Sequence, residues 1–233
     1  MASLSGTGAD APSVAVRTTL PREPFPAHPV IRTERLLLRA LTQDDLAALH
    51  ELRRDADYMS ETSLGKPDDT MAETQASLTD LVAPSPSRGP HFVFGVFVAE
   101  TGELIGEAGV HSVRGTGLGW PEIGYKLHPA RWRQGFATEA VRAILEAWWT
   151  LPREEAVVEA HPHSVTTKGD GEEVRERERE RVVAEVAAYN VGSRRVLEKL
   201  GFEHFGSWEE PDTQLHRLGQ PLMLGHYVLA RPA

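Results

Sequence analysis

The run from Glu122 to Val141, EIGYKLHPARWRQGFATEAV, prescribes a strand, a tight glycine-bearing loop and an amphipathic helix in that order. Within the helix, Ala137, Ala140, Val141, Ile144, Leu145 and Trp148 recur at the spacing of one buried stripe. Glu139, Arg142 and Glu146 fall on the other side, where three- and four-residue separations let opposite charges meet. The loop Arg133-Gln134-Gly135-Phe136-Ala137 therefore presents first-turn backbone N–H groups beside two arginines, Arg131 and Arg133. Helix starts of this kind attract phosphate, because the first amides have no partner inside the helix. Taken alone, the pattern predicts a pyrophosphate-binding turn.

Composition narrows the partners. The 233 residues suffice for one α/β domain with a sizeable core, and 40% hydrophobic with 25% charged content is ordinary for a globular chain. A net charge of −9 and an isoelectric point near 5.6 argue against nucleic-acid and anionic-membrane surfaces, and favour a cationic substrate if charge is used at all. The sequence has no cysteine, so disulfides, thiolate metal sites and acyl-cysteine chemistry are excluded. No apolar run approaches the roughly 20 residues of a membrane helix. Residues 1–28, rich in Ala, Ser, Thr, Gly and Pro and without the apolar stretch of a signal peptide, are expected to be a disordered tail. A cytoplasmic or nucleocytoplasmic protein is expected.

Elsewhere the punctuation is regular. Arg35–Arg39 alternates as a strand, and Thr42-Gln43-Asp44-Asp45 reads as a capping box before a helix striped by Leu46, Leu49 and Leu52. Asp68–Val82 predicts a second helix, stopped by Pro84 and Pro86. Phe92–Val98 and Leu104–Val110 predict a hairpin about Glu100-Thr101-Gly102-Glu103. Gly115, Gly117 and Gly119 miss the dinucleotide spacing and predict a turn. Asn190 suits a helix N-cap and Gly201 a left-handed stop, with strands predicted at His204–Trp208 and Leu222–Leu229 around a polar loop Glu209–Gln220.

Four stretches together resemble the GNAT superfamily of acetyl-CoA-dependent N-acetyltransferases, and within it the RimJ/RimL-like branch. They are Thr33–Arg39, the Leu104-Ile105-Gly106 strand after Thr101-Gly102-Glu103, Glu122–Val141, and Asn190-Val191-Gly192-Ser193 running to Gly201-Phe202. The resemblance spans Pro29 to the C-terminus and implies a single domain over 29–233. The implied fold is α/β (α+β): a mixed, mostly antiparallel sheet of six to seven strands, splayed between the fourth and fifth, with helices on both faces. Acetyl-CoA would enter the splay. Its diphosphate would rest on the amides of Gln134, Gly135, Phe136, Ala137 and Thr138, with Arg131 or Arg133 as counter-charge and Asn190 holding the pantetheine chain. Trp132 occupies the first position of the superfamily loop, as in the RimJ/RimL branch. Leu197 stands where many members carry a tyrosine acid. The family's fifth strand runs almost directly into the asparagine motif, whereas here 190 − 156 = 34 residues separate Ala156 from Asn190. An insertion is therefore expected at about 164–181, with its alternating Arg and Glu forming a solvated loop. Either Ala156–Ala160 or Val182–Ala187 fits the fifth strand; one long strand with an excursion is the favoured expectation.

Acetyl transfer to a primary amine, by direct attack in a ternary complex, needs a base because an alkyl ammonium has a pKa near ~10.4. Glu122, at the start of the cofactor strand, is the candidate base, ahead of Glu107, His111 and Glu61. A backbone N–H at Lys126 or Leu127, aided by a bulge in that strand, is the candidate oxyanion donor. Ser193 is the candidate acid toward the thiolate. The acceptor is expected against Asp55–Lys66 and Glu209–Gln220, with Glu61 and Glu209 as contacts, and as a small-molecule amine or a peptide N-terminus. His161 and His163 lack carboxylates in the pattern and predict no metal site. A monomer or homodimer is expected. The alternative is a non-catalytic acyl-CoA-binding or scaffold protein that keeps the groove.

Overall fold

A computed structural model describes residues 11–26, 28–62, 64–82, 91–114, 116–166 and 177–233. The elements that build the site are ten strands and five α-helices. The main sheet runs β2 (Ile31–Arg32), β3 (Leu36–Arg39), β4 (Phe92–Val98), β5 (Leu104–Ser112), β6 (Glu122–Leu127), β8 (Arg181–Ala187), β10 (Pro221–Ala230) and β9 (Glu203–Pro211). It has eight strands, one or two beyond expectation, because the short Ile31–Arg32 segment pairs outside Leu37 and Leu38. Neighbours are antiparallel except β6 and β8, which are parallel and share one register pair, Glu122↔Val183. Past that pair β6 stays laddered to β5 and β8 to β10, so the sheet opens toward the ends of both strands.

One face of the sheet carries α4 (Phe136–Thr150), whose Ala140, Val141, Ile144, Leu145 and Trp148 are buried with Phe92, Phe94, Ile123 and Val182. Burying side chains of this size contributes about 1.5–3 kcal/mol each for the larger ones, which is why the stripe fixes the helix on the sheet. The helix α5 (Val191–Lys199) contributes Leu197 to the same core. On the opposite face, α1 (Leu46–Arg53), α2 (Ala56–Met59) and α3 (Met71–Val82) cover β3 to β5 through Leu41, Leu49, Leu52, Tyr58, Met59, Leu78 and Phe97. A buried ion pair, Arg53 Nε to Asp68 Oδ2 at 2.6 Å, joins α1 to the start of α3, and Thr74 donates to the same oxygen at 2.8 Å.

Two expectations are corrected here. Residues 1–28 are not all tail: β1 (Val14–Pro21) pairs antiparallel with β7 (Arg153–Ala160) from Val14↔Ala160 to Pro21↔Arg153. Val16, Thr18 and Leu20 lie on one side of this strand and are buried against Trp120, Val183, Trp208 and Val228, a burial that composition alone does not reveal. Residues 1–10 lie outside the described residues. Secondly, Ala156–Ala160 and Val182–Ala187 are not one interrupted strand. β7 leaves the main sheet to pair with β1, and β8 alone takes the place beside β6.

The charged segment is also more ordered at its end than a solvated loop. Glu178, Glu180 and Arg181 are buried while Arg177 and Arg179 are exposed, the alternation of an extended chain. Glu180 meets Arg153 at 2.6 Å, and Glu178 accepts from Thr166 Oγ1 at 2.9 Å and from Arg181 at 3.1 Å. The part of the expected insertion between 167 and 176 lies outside the described residues.

Candidate active site

The loop between β6 and α4 is shaped by two left-handed residues, Arg133 at φ 60° and Gly135 at φ 84°. Gly135 is the helix N-cap and accepts from the Glu139 N–H at 3.0 Å, which starts α4. From Arg133 through Thr138, six consecutive backbone N–H groups have no partner among the described residues. A run of free amides at a helix start attracts anions, because the helix itself supplies them no acceptor. Asn190 caps α5 on the far side of the splay, its Oδ1 accepting from Ser193 N–H at 3.0 Å, which leaves its amide N–H₂ free of that bond. Tyr125 on β6 donates to the Ser193 carbonyl at 3.0 Å and so bridges the parted strands.

The expected counter-charges divide. Arg131 is held by Glu103 through its Nη2, whereas Arg133 makes no ion pair among the described residues. The cation that sequence reasoning missed is Arg35. Its Nη1 donates to the Gln134 carbonyl at 2.9 Å, its Nη2 meets Glu139 at 2.6 Å, and its guanidinium lies 4.4 Å over the Phe136 ring. Glu139 is therefore committed to Arg35 and to Thr33 Oγ1, at 2.5 Å, rather than to Arg142 on its own helix. Trp132 donates its indole N–H to the Leu127 carbonyl at 2.6 Å, pinning the loop to the end of β6.

Backbone alternation decides which β6 amides face the opening. His128 N–H donates to the Ile105 carbonyl across the β5 ladder at 2.8 Å. Alternate residues repeat that direction, so Lys126 N–H also points at β5 and Leu127 N–H points into the splay. The Lys126 side chain is occupied by Glu107 at 2.9 Å, and Tyr58 donates to that same carboxylate at 3.0 Å. Burial, the largest single effect, would raise Glu107, but the Lys126 ammonium, the Arg53 charge and the Tyr58 hydroxyl together outweigh it and hold the carboxyl below its usual range. The irregularity in the ladder lies in β5, not β6: between Val110 and Ser112 the register shifts opposite Glu122. The extra residue there is His111, whose Nε2 lies 3.5 Å from Glu122 Oε1. Gly124 makes room for it, since a Cβ there would stand 2.9 Å from the imidazole.

Glu122 projects to the face opposite α4, and there it meets residues that sequence separation hides. Glu185 on β8, Glu210 on β9 and His226 on β10 lie on that face, where Trp208 stacks on His226 with centroids 3.5 Å apart. Burial raises Glu122 to about 7, helped by repulsion from Glu210. Burial also raises Glu185, to about 8, with the Glu122 and Glu210 carboxylates pushing it further. Glu209, the expected contact, points to the other side of β9 because strand neighbours alternate; Glu210 is the one that joins Glu122. Glu209 and Glu210 both belong to β9, so the polar connection to β10 begins only at Asp212. Glu61 is exposed and accepts from Tyr189 Oη at 3.1 Å; Arg217 donates to the same hydroxyl at 3.1 Å. Gln214 donates to the Ser60 carbonyl at 2.9 Å, so the 55–66 and 212–220 connections close on one another beside this face.

With this geometry in place, comparison with known proteins is decisive. The acetyltransferase (GNAT) domain model matches residues 35–203. The chain belongs to the GNAT acetyltransferase family. As a GNAT acetyltransferase it is an acetyl-CoA-dependent acyltransferase. It is 32% identical over 133 residues to an uncharacterized N-acetyltransferase, p20, of Bacillus licheniformis, covering 54% of this chain and 71% of that protein. To YoaA of Bacillus subtilis, another uncharacterized N-acetyltransferase, it is 24% identical over 204 residues, 88% of this chain and 98% of that one. Its fold is similar to a GNAT-family acetyltransferase from Bacillus anthracis, with a TM-score of 0.61 at 22% identity over 87% of this chain and 99% of that one. It is similar also to a spermidine N-acetyltransferase from Vibrio cholerae in complex with CoA and spermine, with a TM-score of 0.59 at 18% identity over 85% and 97% of the two chains. No helix among the described residues of the acetyltransferase is long and apolar enough to cross a membrane.

Proposed function

We propose that the protein transfers acetyl from acetyl-CoA to a primary amine by direct attack in a ternary complex, with Glu122 as general base. The observation that carries the reading is the position of Glu122: at the one β6–β8 pair, with the cofactor splay on one side and an acidic face on the other. A carboxyl raised to about 7 takes a proton from an ammonium far more readily than an ordinary glutamate does at neutral pH. Acetyl-CoA rests its diphosphate on the amides of Gln134, Gly135, Phe136, Ala137 and Thr138, with Arg133 as counter-charge and Arg35 bracing the loop from behind. Asn190 offers its amide N–H₂ to the pantetheine chain. Leu127 N–H stabilises the oxyanion, and Lys126 keeps a structural role through Glu107. The thiolate receives its proton from Ser193 Oγ or from Tyr125 Oη, whose pKa burial raises and which therefore keeps its proton. Positioning supplies much of the rate in such a complex, so weak acids suffice.

The acceptor is a small cationic amine or a peptide N-terminus. Three carboxylates on the acceptor face support the cationic class, as does the spermine bound by a structural relative. Trp132 in the loop supports the RimJ/RimL-like branch, and a cytoplasmic monomer or homodimer fits the acidic surface. Residues 29–233 form the acetyltransferase domain in this reading. Leu197, fully buried where a tyrosine acid is common, favours the rival reading of a binding protein without turnover. Thiol release with a panel of primary amines separates the two: turnover is expected, and tight acetyl-CoA binding with no thiol release for any amine would establish the rival. Gly135→Asp places a carboxylate and a strained left-handed residue in the cradle. Calorimetry is expected to show at least about a hundredfold weaker acetyl-CoA binding, and unchanged affinity would remove the diphosphate assignment.

A further inference from the structure

His226 is fully buried, and neither of its ring nitrogens makes a well-aligned hydrogen bond among the described residues. Its Nε2 nevertheless points at two carboxylates, 3.3 Å from Glu210 Oε1 and 3.6 Å from Glu185 Oε1. The donor atoms of the three residues lie within 4.8 Å of one another. Ligands about 2.1 Å from a tetrahedral ion stand roughly 3.4 Å apart, and the two nitrogen–oxygen separations straddle that edge. A neutral imidazole nitrogen is the commonest protein ligand to such ions. Trp208 donates its indole N–H to Glu210 Oε1 at 2.5 Å, fixing the carboxylate as outer-shell donors do in metal sites. No arginine or lysine among the described residues pairs with Glu122, Glu185 or Glu210. The group therefore gathers carboxyls beside a buried imidazole with no fixed cation among them.

We infer that Glu185, Glu210 and His226 form a binding site for a divalent transition-metal ion of the zinc class, on the acceptor face beside Glu122. One imidazole nitrogen and two carboxylate oxygens suit borderline ions better than magnesium, which demands an all-oxygen octahedron. The three ligands come from three adjacent strands, β8, β10 and β9, so the sheet sets their spacing and no loop has to order on binding. His161 and His163, the sequence's obvious pair, fall outside this group of ligand atoms, although His161 stacks on the same Trp208 ring with centroids 4.7 Å apart.

The test is titration of chelator-stripped, full-length protein with Co²⁺, whose visible bands report four-coordinate geometry. One ion per chain is expected to bind with those bands and to be displaced by Zn²⁺. Glu185→Gln copies the protonated carboxyl in shape, so its folding is expected to match the parent by circular dichroism while Co²⁺ affinity falls at least about tenfold. Trp208→Phe, which removes the outer-shell donor while keeping an aromatic ring in the stack on His226, is expected to weaken binding by about tenfold. Glu203→Gln, on the same strand as Glu210 but exposed, leaves Co²⁺ affinity unchanged. No saturable Co²⁺ binding by the parent, or binding that Glu185→Gln leaves intact, overturns the site. Acetyl-CoA turnover is not the readout, so the result stands whether or not an amine substrate is found.

Discussion

Glu122 is one side chain asked to sit where two requirements meet. As the proposed base, it must be dry enough to hold a proton weakly bound near neutrality, and it must reach both the thioester splay and the acceptor. The fold meets the first by pairing β6 with β8 at that residue, and the second by setting it where the two strands part, with His111 beside it from the β5 bulge. With the carboxyl at about 7 and the acceptor ammonium near ~10.4, kcat/KM is expected to rise with pH through two limbs. Glu122→Gln should lower kcat/KM by about 10²–10⁴ and erase the limb near 7 while leaving the amine's own limb. A Gln variant that keeps the lower limb would move the base to another residue. At this scale the loop was legible and the acidic face was not. The free amides from Arg133 to Thr138 follow from a contiguous pattern of glycine, arginine and helix stripe. Glu185, Glu210 and His226 are 25 and 16 residues apart in sequence and meet only because β8, β9 and β10 are neighbours in an order no local pattern carries. Arg35 reads locally as a strand residue for the same reason: its contacts are with residues about a hundred positions away.

Most elements were legible from periodicity, and the exceptions share a cause. The hairpin of β4 and β5, the helix α4 and the short helix after Asn190 are each fixed by their own residues, through alternation, a stripe and a cap. β1 and β7 instead depend on each other. Neither has a place in the main sheet, and each covers hydrophobic surface that the other completes around Trp120 and Trp208. The VAVRTTLP segment alternates, but polar and small residues around it mask the signal. The pair backs the face that carries Glu122, Glu185 and His226, so its removal should act on the site through packing. Leu20 is 1% exposed, and Leu20→Ala is expected to cost about 2–5 kcal/mol by the lost transfer energy and the cavity left behind. Chemical denaturation checks this. A loss below about 0.5 kcal/mol would mean that β1 adds nothing to the core and that a tail was the better description.

Over the whole molecule, the titrating groups set a stability profile that runs opposite to the usual carboxylate one in a single window. Asp45, Asp68, Glu107 and Glu139 have lowered pKa values, the guanidinium, ammonium and hydroxyl donors around them outweighing burial, so their contribution is full near neutrality and lost as pH falls through those values. His28 and His226 are lowered by burial, so the unfolded chain takes up their protons first and stability falls as pH drops below about 6.5. Glu122 and Glu185 are raised by burial, so their stabilising contribution is full below the unfolded value of 4.5 and is lost as pH rises through about 7 and about 8. Between about 4.5 and 6.5 the raised carboxyls and the lowered imidazoles oppose each other. Between about 6.5 and 8 only the carboxyls still bind extra protons in the folded state, so the slope is negative there. The melting temperature of chelator-treated protein is therefore expected to be flat from pH 5 to 6.5 and to fall from 6.5 to 8. Glu185→Gln, neutral at every pH, should flatten the upper part of that fall. Zn²⁺ should flatten the same upper part in the parent, because an ion on Glu185, Glu210 and His226 holds the Glu185 carboxylate ionised in the folded state as it is in the unfolded one. A melting temperature that stays level or climbs from pH 6.5 to 8 without metal would show that these carboxyls are already ionised, and that the acidic face carries its charge without strain.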